Sequence, residues 1–174
     1  AALVTNKFDI LMSGMTLTQE RNLRINFADP YIVIGQAILL RKELAGEVKS
    51  YKDLNDSKYK VTSKLGTTGE QATKKHIPKC TYISFETEQE AMMEVVNGKA
   101  DAFVYDLPYL GPAMAQKGEG KLVLLDKPFT YEHLAWAVKK GEADFLNWLN
   151  LFVEQIQTDG TLDLLKYEYF EQMA

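Results

Sequence analysis

Ser13-Gly14-Met15-Thr16-Leu17-Thr18-Gln19-Glu20-Arg21 is the stretch on which the reading of this chain turns, and it runs on through Asn22-Leu23-Arg24-Ile25-Asn26-Phe27 to Ala28-Asp29-Pro30-Tyr31. It reads as a turn feeding a short helix. Thr18 is a suitable N-cap, because its side-chain oxygen accepts an otherwise unused N–H of the first turn. The helix runs through Glu20, Arg21 and Leu23 and stops before the extended Ala28-Asp29-Pro30-Tyr31, since a residue preceding proline is pushed out of the helical region. Arg21 then lies in the first turns, beside the open N–H groups of residues 14–18. Backbone donors, one or two hydroxyls and a guanidinium grouped in this way suit a carboxylate. A solvated arginine, or one paired with Glu20, is the other reading of the same residues.

Outward from this stretch, composition narrows the classes. With 174 residues, 46% of them hydrophobic, the chain is long enough to bury the core of one or two small domains. A net charge of -4 leaves no basic footprint for nucleic acid. The longest apolar run, Ile32 to Leu40, is interrupted by Gly35 and Gln36 and is too short to cross a bilayer. No signal peptide or lipidation motif stands at the start, which is compatible with a secreted protein whose signal peptide has been removed. The single cysteine, Cys80, rules out an internal disulfide, and with no histidine or acid beside it reads as an inert, partly buried thiol.

Along the chain, strands and helices alternate. Residues 1–7 read as the end of a helix and its turn, and Phe8 to Met12 as a short buried strand. Tyr31 to Arg41 is β-rich, and Ser50 caps a short helix over Ser50-Tyr51-Lys52-Asp53-Leu54. Lys60 to Leu65 is a strand, Gly66-Thr67-Thr68-Gly69 a tight turn, and Glu70 to His76 a helix ended by Pro78. Tyr82 to Phe85 is a strand; Thr87 and Glu90 form a capping box for a helix over Glu88 to Val96, closed by Gly98. Ala100 to Tyr105 is a strand, a helix follows from Asp106-Leu107-Pro108 through Gln116, and Lys121 to Leu125 is a strand. His133 to Lys139 is a further strand. A helix from about Ala143 to Gln157 places Phe145, Leu149, Phe152, Val153 and Ile156 on one core-facing stripe. Asp159-Gly160 breaks it before a last amphipathic helix, Thr161 to Phe170. This alternation predicts an α/β fold with mostly parallel pairing.

Two more elements carry candidate chemistry. In Lys64-Leu65-Gly66-Thr67-Thr68-Gly69-Glu70, Gly66 permits a sharp turn, and Thr67 and Thr68 offer hydroxyls and N–H groups at a helix start, which favours an anion. The glycine spacing and ending are not those of a phosphate-binding loop, and a plain turn with its N-cap is the alternative. Asp106 follows an apolar strand and precedes Leu107-Pro108. It is either the N-cap of the next helix or a carboxylate at a strand's C-terminal end, placed to pair with a ligand's ammonium. His76 and His133 lack zinc-ligand spacing, and no Gly-x-Ser-x-Gly elbow is present. No metal, cofactor or catalytic residue is expected.

Read together, Asp9-Ile10-Leu11-Met12 leading into the opening stretch, Gly66-Thr67-Thr68, and Ala100-Asp101-Ala102-Phe103-Val104-Tyr105-Asp106 resemble the extracellular solute-binding proteins of polar amino acid ABC transporters, bacterial solute-binding protein family 3. The resemblance runs from Phe8 to Phe170 with the motifs in the family's order. It implies a two-lobed, type II periplasmic binding protein fold with lobe one incomplete: residues 1–40 as part of lobe one and the first hinge strand, 41–124 as lobe two, and 125–174 as the return hinge and the C-terminal part of lobe one. It implies an L-amino acid as ligand, with Ser13, Gly14, Thr16 and Arg21 on its α-carboxylate, Thr67 and Thr68 contacting it from lobe two, and Asp106 on its α-ammonium. Tyr105, beside Asp106, is read as packing. Delivery to a membrane permease and a periplasmic or extracellular location follow, the latter compatible with a lipid anchor on the precursor.

Two other roles share this fold. One is a cyclohexadienyl or arogenate dehydratase-like enzyme, which shares the arginine; the stretch Ile32-Val33-Ile34-Gly35-Gln36 lacks the Gly-Gly-Lys that follows the Pro-Tyr there. The other is the ligand-sensing domain of a receptor. His133-Leu134 departs from the Tyr-Gly frequent in relatives. With the family's opening segment absent, apolar helix faces and strand edges of lobe one are expected to be exposed, and either self-association, with domain swapping as one route, or marginal stability to follow.

Overall fold

The structure is a computed structural model that describes residues 2–118 and 120–171. They fall into two compact units, Ala1–Val33 with Glu132–Met173, and Ile34–Tyr131.

The first unit begins with turns over residues 2–6 rather than the end of a helix. Its three-stranded antiparallel sheet has the order β1 (Ile10–Leu11), β10 (Ala137–Lys139), β2 (Ile25–Phe27). Between β1 and β2 lies α1 (Gln19–Asn22). β1 is not buried as expected: it is a two-residue edge strand, and Phe8 and Met12 on either side of it are exposed. Strands β3 (Ile32–Ile34) and β9 (Glu132–Leu134) pair as a separate ribbon. The run expected as one strand over His133 to Lys139 is thus two, β9 and β10, which join different partners.

α5 (Ala143–Thr158) covers the sheet through Leu149, which packs with Ala28 and Val138, and α6 (Thr161–Lys166) continues as a π-helical turn over Tyr167–Glu171. Gly160, at φ 85, makes the left-handed break between α5 and α6. Leu149, Val153 and Ile156 are buried as the periodicity requires, whereas Phe152 remains 36% exposed. Trp148, Leu151, Leu164, Leu165, Tyr169 and Phe170 are exposed as well.

The second unit is a five-stranded sheet in the order β6 (Thr81–Phe85), β5 (Lys60–Lys64), β7 (Ala102–Asp106), β4 (Gln36–Arg41), β8 (Leu122–Leu125). The helices α2 (Thr68–His76), α3 (Glu88–Val96) and α4 (Leu107–Lys117) connect β5, β6, β7 and β8 in succession. Mostly parallel pairing is not what results. β5 pairs in parallel with β6 and β7, but β4 is antiparallel to both β7 and β8. The helical crossovers do make β5 to β8 run one way; β4 enters between β7 and β8 in the opposite sense and breaks their pairing.

Every residue of β4 from Gln36 to Leu40 is buried, with Ala37 and Leu39 in one hydrophobic cluster and Ile38 and Leu40 in another, as a strand covered on both faces requires. The first cluster takes Met92 and Val95 from α3 and Leu110 from α4; the second takes Leu54, Tyr59 and Ile77. The capping box forms as expected, with Glu90 N donating to Thr87 Oγ1 at 3.2 Å and Thr87 N donating to Glu90 Oε2 at 3.1 Å. The helix expected after Ser50 does not form. Asp53 Oδ2 instead accepts from the backbone N–H groups of Lys49 and Ser50, closing a turn that competes with a helix. No described helix is long and apolar enough to cross a membrane.

Tyr31 to Arg41 divides at Gly35 into β3 and β4, and there is a steric reason for the glycine. A Cβ at residue 35 would lie 2.3 Å from the Thr130 carbonyl oxygen and 2.6 Å from Pro128 Cβ. Gly35→Ala is therefore expected to lower the unfolding free energy by about 1–3 kcal/mol, from overpacking against a backbone that cannot yield cheaply. Urea denaturation checks this, and an unchanged midpoint would contradict it.

Candidate functional site

In the first unit, Thr18 caps α1 as the sequence predicts, accepting from Arg21 N at 3.2 Å. The Arg21 side chain folds back over the preceding turn, and its Nη1 donates to the Thr16 carbonyl at 2.8 Å. The turn itself is tied to the β9 segment: Leu17 N donates to the His133 carbonyl, Ala135 N donates to the Met15 carbonyl, and Thr16 bridges to Leu134. Thr16 is 6% exposed, and its hydroxyl donates to Glu132 Oε2 at 2.8 Å. Ser13 and Gly14 lie exposed at the front of the turn, while Arg21 is half-buried. The structure thus groups all four residues expected here, with Thr16 tucked underneath as a support for Arg21. Glu132 escaped the sequence reading, because no local pattern marks it.

In the second unit, α2 begins at Thr68, two residues before the expected start, with Thr67 as its N-cap. Thr67 Oγ1 donates to the Lys64 carbonyl at 2.7 Å and accepts from Glu70 N at 3.4 Å. Gly66 sits at φ 73, and its N–H donates to Glu70 Oε2 at 2.6 Å. Glu70 in turn accepts from Lys74 Nζ at 2.6 Å. The carboxyl is held below the usual carboxylate range by the Lys74 hydrogen bond and by the Gly66 N–H, against an opposing effect of burial. The Gly66 turn is thereby stapled to α2 by a charged side chain.

Asp106 ends β7, and its side chain makes no capping hydrogen bond to α4. The capping explanation therefore does not hold for it. Its Oδ1 accepts instead from Gln36 Nε2 at 2.6 Å, and the same amide nitrogen lies 3.3 Å from Thr68 Oγ1. Gln36 is 0% exposed and is the direct cross-strand partner of Asp106 in the β4–β7 ladder. Its Oε1 has no hydrogen-bond partner among the described residues. Such a buried orphan costs about 1–3 kcal/mol. The interruption of the apolar run by Gln36 was the one signal in the sequence that could have found this residue. Tyr105 stacks on Phe103 with centroids 5.5 Å apart, as a packing residue should, and its phenol is pushed up mainly by burial and further by the charge of Asp106. Cys80 is half-buried and its thiol is pushed up by burial, which suits an inert group.

Within each unit, then, a strand end or turn carries a charged group on a prepared mount: a guanidinium over a pinned turn in the first, a carboxylate fixed by a buried amide and beside a helix start in the second. The chain belongs to the bacterial extracellular solute-binding proteins, family 3, whose family model matches residues 1–172. It is 29% identical over 170 residues to the glutamine-binding protein of an ABC transporter from Bacillus subtilis, an alignment covering 98% of this chain and 60% of that protein. Among solved structures, it is 53% identical to a putative ABC transporter binding component from Wolinella succinogenes complexed with lysine, with a TM-score of 0.92 over 97% of this chain and 72% of that one. It is 46% identical, with a TM-score of 0.86 over 97% of this chain and 72% of that one, to an ancestral amino acid-binding protein described as a precursor of cyclohexadienyl dehydratase. The fold is that of these proteins, and the chain spans about 60% of the length of the Bacillus relative.

The Glu70 staple makes stability depend on pH with a definite sign. Because the folded-state pKa is lowered, its contribution is present above the ordinary carboxylate value and is lost as pH falls through the folded value. Glu70→Gln is expected to cost about 1 kcal/mol at neutral pH and less at about pH 3. Urea melts of both proteins at the two pH values check this; a deficit that is equal at both would contradict it.

Proposed function

We propose that this chain binds an L-α-amino acid and belongs to a protein that delivers it to the permease of an ABC transporter. The observation that carries the reading is the mount of Asp106, a carboxylate that does not cap its helix and is held instead by a buried glutamine. In the proposal Asp106 takes the α-ammonium; Arg21, with the turn Ser13, Gly14 and Thr16, takes the α-carboxylate; Thr67 and Thr68 flank the ligand. A guanidinium and a carboxylate each lose solvation when covered, and a zwitterion offers both of them partners at once. A ligand held by both units stabilises whichever arrangement lets both touch it, which is the differential affinity a conformational signal to a permease requires.

The names of the relatives support a binding protein over the dehydratase alternative, and the lysine-bound and glutamine-binding relatives support a polar amino acid. An extracytoplasmic location, with a lipid anchor on the precursor as one means of retention, belongs to the same reading. Isothermal calorimetry with L-lysine, L-arginine, L-glutamine and L-histidine should find at least one ligand for the wild-type protein. Arg21→Ala and Asp106→Ala should each weaken its binding at least a hundredfold, with the thermal midpoint nearly unchanged. Undiminished affinity in either variant would defeat the assignment. Incubation with prephenate or arogenate should yield no aromatic product, and steady turnover would favour the enzyme.

Self-association of this chain is part of the same proposal. A groove of about 510 Å³ in the first unit is lined mainly by apolar and aromatic side chains, among them Met12, Tyr31, Trp136, Phe152, Leu165 and Phe170, with Thr161 and Lys166 beside them. An exposed apolar surface of this kind favours a second copy as its cover. Light scattering should give a mass above 19.7 kDa that falls on dilution; a monomer at all concentrations would contradict it.

A further inference from the structure

Gln36 occupies a position that an apolar residue would fill at lower cost. It is fully buried at the start of β4, and one acceptor of its amide is unsatisfied among the described residues. Its backbone is fixed from both sides: Gln36 N donates to Thr130 Oγ1 at 2.8 Å, and its carbonyl accepts from Phe129 N at 2.9 Å. Its side chain projects to Asp106, directly across the ladder, and to Thr68 at the start of α2. The amide presents its nitrogen to Asp106, and the NH₂ donates to the Asp106 carboxyl oxygen at 2.6 Å. Space for the amide is reserved by Gly69, where a Cβ would lie 2.9 Å from Gln36 Oε1 and 3.0 Å from the Val104 carbonyl oxygen.

We infer that Gln36 is a positioning residue for the ligand's ammonium site: it donates to Asp106 to hold that carboxylate ionised and aimed, and ties it to the Thr68 hydroxyl through one nitrogen. A carboxylate free to rotate would sample several rotamers and surrender part of its binding to ordering; a carboxylate that already accepts a hydrogen bond on one oxygen is held in place before the ligand arrives. Both partners are residues assigned to the ligand in the proposed function, so the side chain acts on two groups of that site at once. That Asp106 meets the ligand rests on the function proposed above; that Gln36 sets the state of Asp106 does not.

The test uses Gln36→Met, which keeps the volume and removes the donor, and Gln36→Asn, which keeps an amide and withdraws it by one methylene. The carboxyl carbon of Asp106, assigned in ¹³C-aspartate-labelled protein by its loss in Asp106→Asn, is titrated by NMR without ligand. In both variants Asp106 should titrate about one pH unit higher than in wild type, since a hydrogen bond to the charged form has been lost. Filling space alone would not move that titration, and an unchanged Asp106 in the folded variants overturns the inference. Affinity for L-lysine, taken as the probe, should fall about tenfold in both. A wild type that binds none of the amino acids tried would defeat the proposed function, while the titration would still decide the role of Gln36.

Discussion

The antiparallel entry of β4 between β7 and β8 is the constraint on which the second unit depends. The helical crossovers make β5, β6, β7 and β8 co-directional, and such strands left to themselves would form a parallel sheet. Because β4 runs against them, its first residue lies beside the last residue of β7. Gln36 and Asp106 become cross-strand partners at the ends of two interior strands, where α4 begins and α2 starts close by. The same insertion buries both faces of β4 from Gln36 to Leu40, which is why Ala37 to Leu40 are apolar and why a polar side chain at the strand's head is conspicuous.

The first unit solves an analogous problem with different means. Its short α1 could not by itself hold a guanidinium in place, so the turn before it is fastened to the β9 segment by backbone hydrogen bonds and by the buried pair of Thr16 and Glu132. Arg21 Nη1 donates to the Thr16 carbonyl of that fastened turn. In both units the charged group is presented by a rigid backbone feature whose own polar groups are already committed. In the proposed function, such preparation lets binding energy be spent on the ligand rather than on ordering the site.

What could be read from the sequence was local. The Thr18 cap, the Thr87 and Glu90 box, the turn at Gly66 and the break at Gly160 are each set by side chains within four residues, and all appear as expected. Non-local facts were hidden. Strand direction around β4 depends on which neighbours it meets, and no spacing within residues 36–41 reveals that. The burial of Glu132 depends on Thr16, more than a hundred positions away. The helix expected at Ser50 failed because Asp53 offers the backbone a better local acceptor, and Phe152, at a core-facing spacing on α5, stays partly exposed because nothing described covers it fully. Asp106 could be read two ways from its position; its side chain does not cap α4, and its hydrogen bond to Gln36 could not be foreseen from residues seventy positions apart.

The most direct measurement compares an amino acid that binds with its analogues lacking one charged group. For L-lysine these are 6-aminohexanoate, without the α-ammonium, and cadaverine, without the α-carboxylate, each titrated into the protein by calorimetry. The account predicts that only the complete zwitterion binds strongly and that either deletion costs at least a hundredfold in affinity. Comparable affinity for L-lysine and either analogue would contradict the assignment of Arg21 and Asp106 to opposite ends of one ligand.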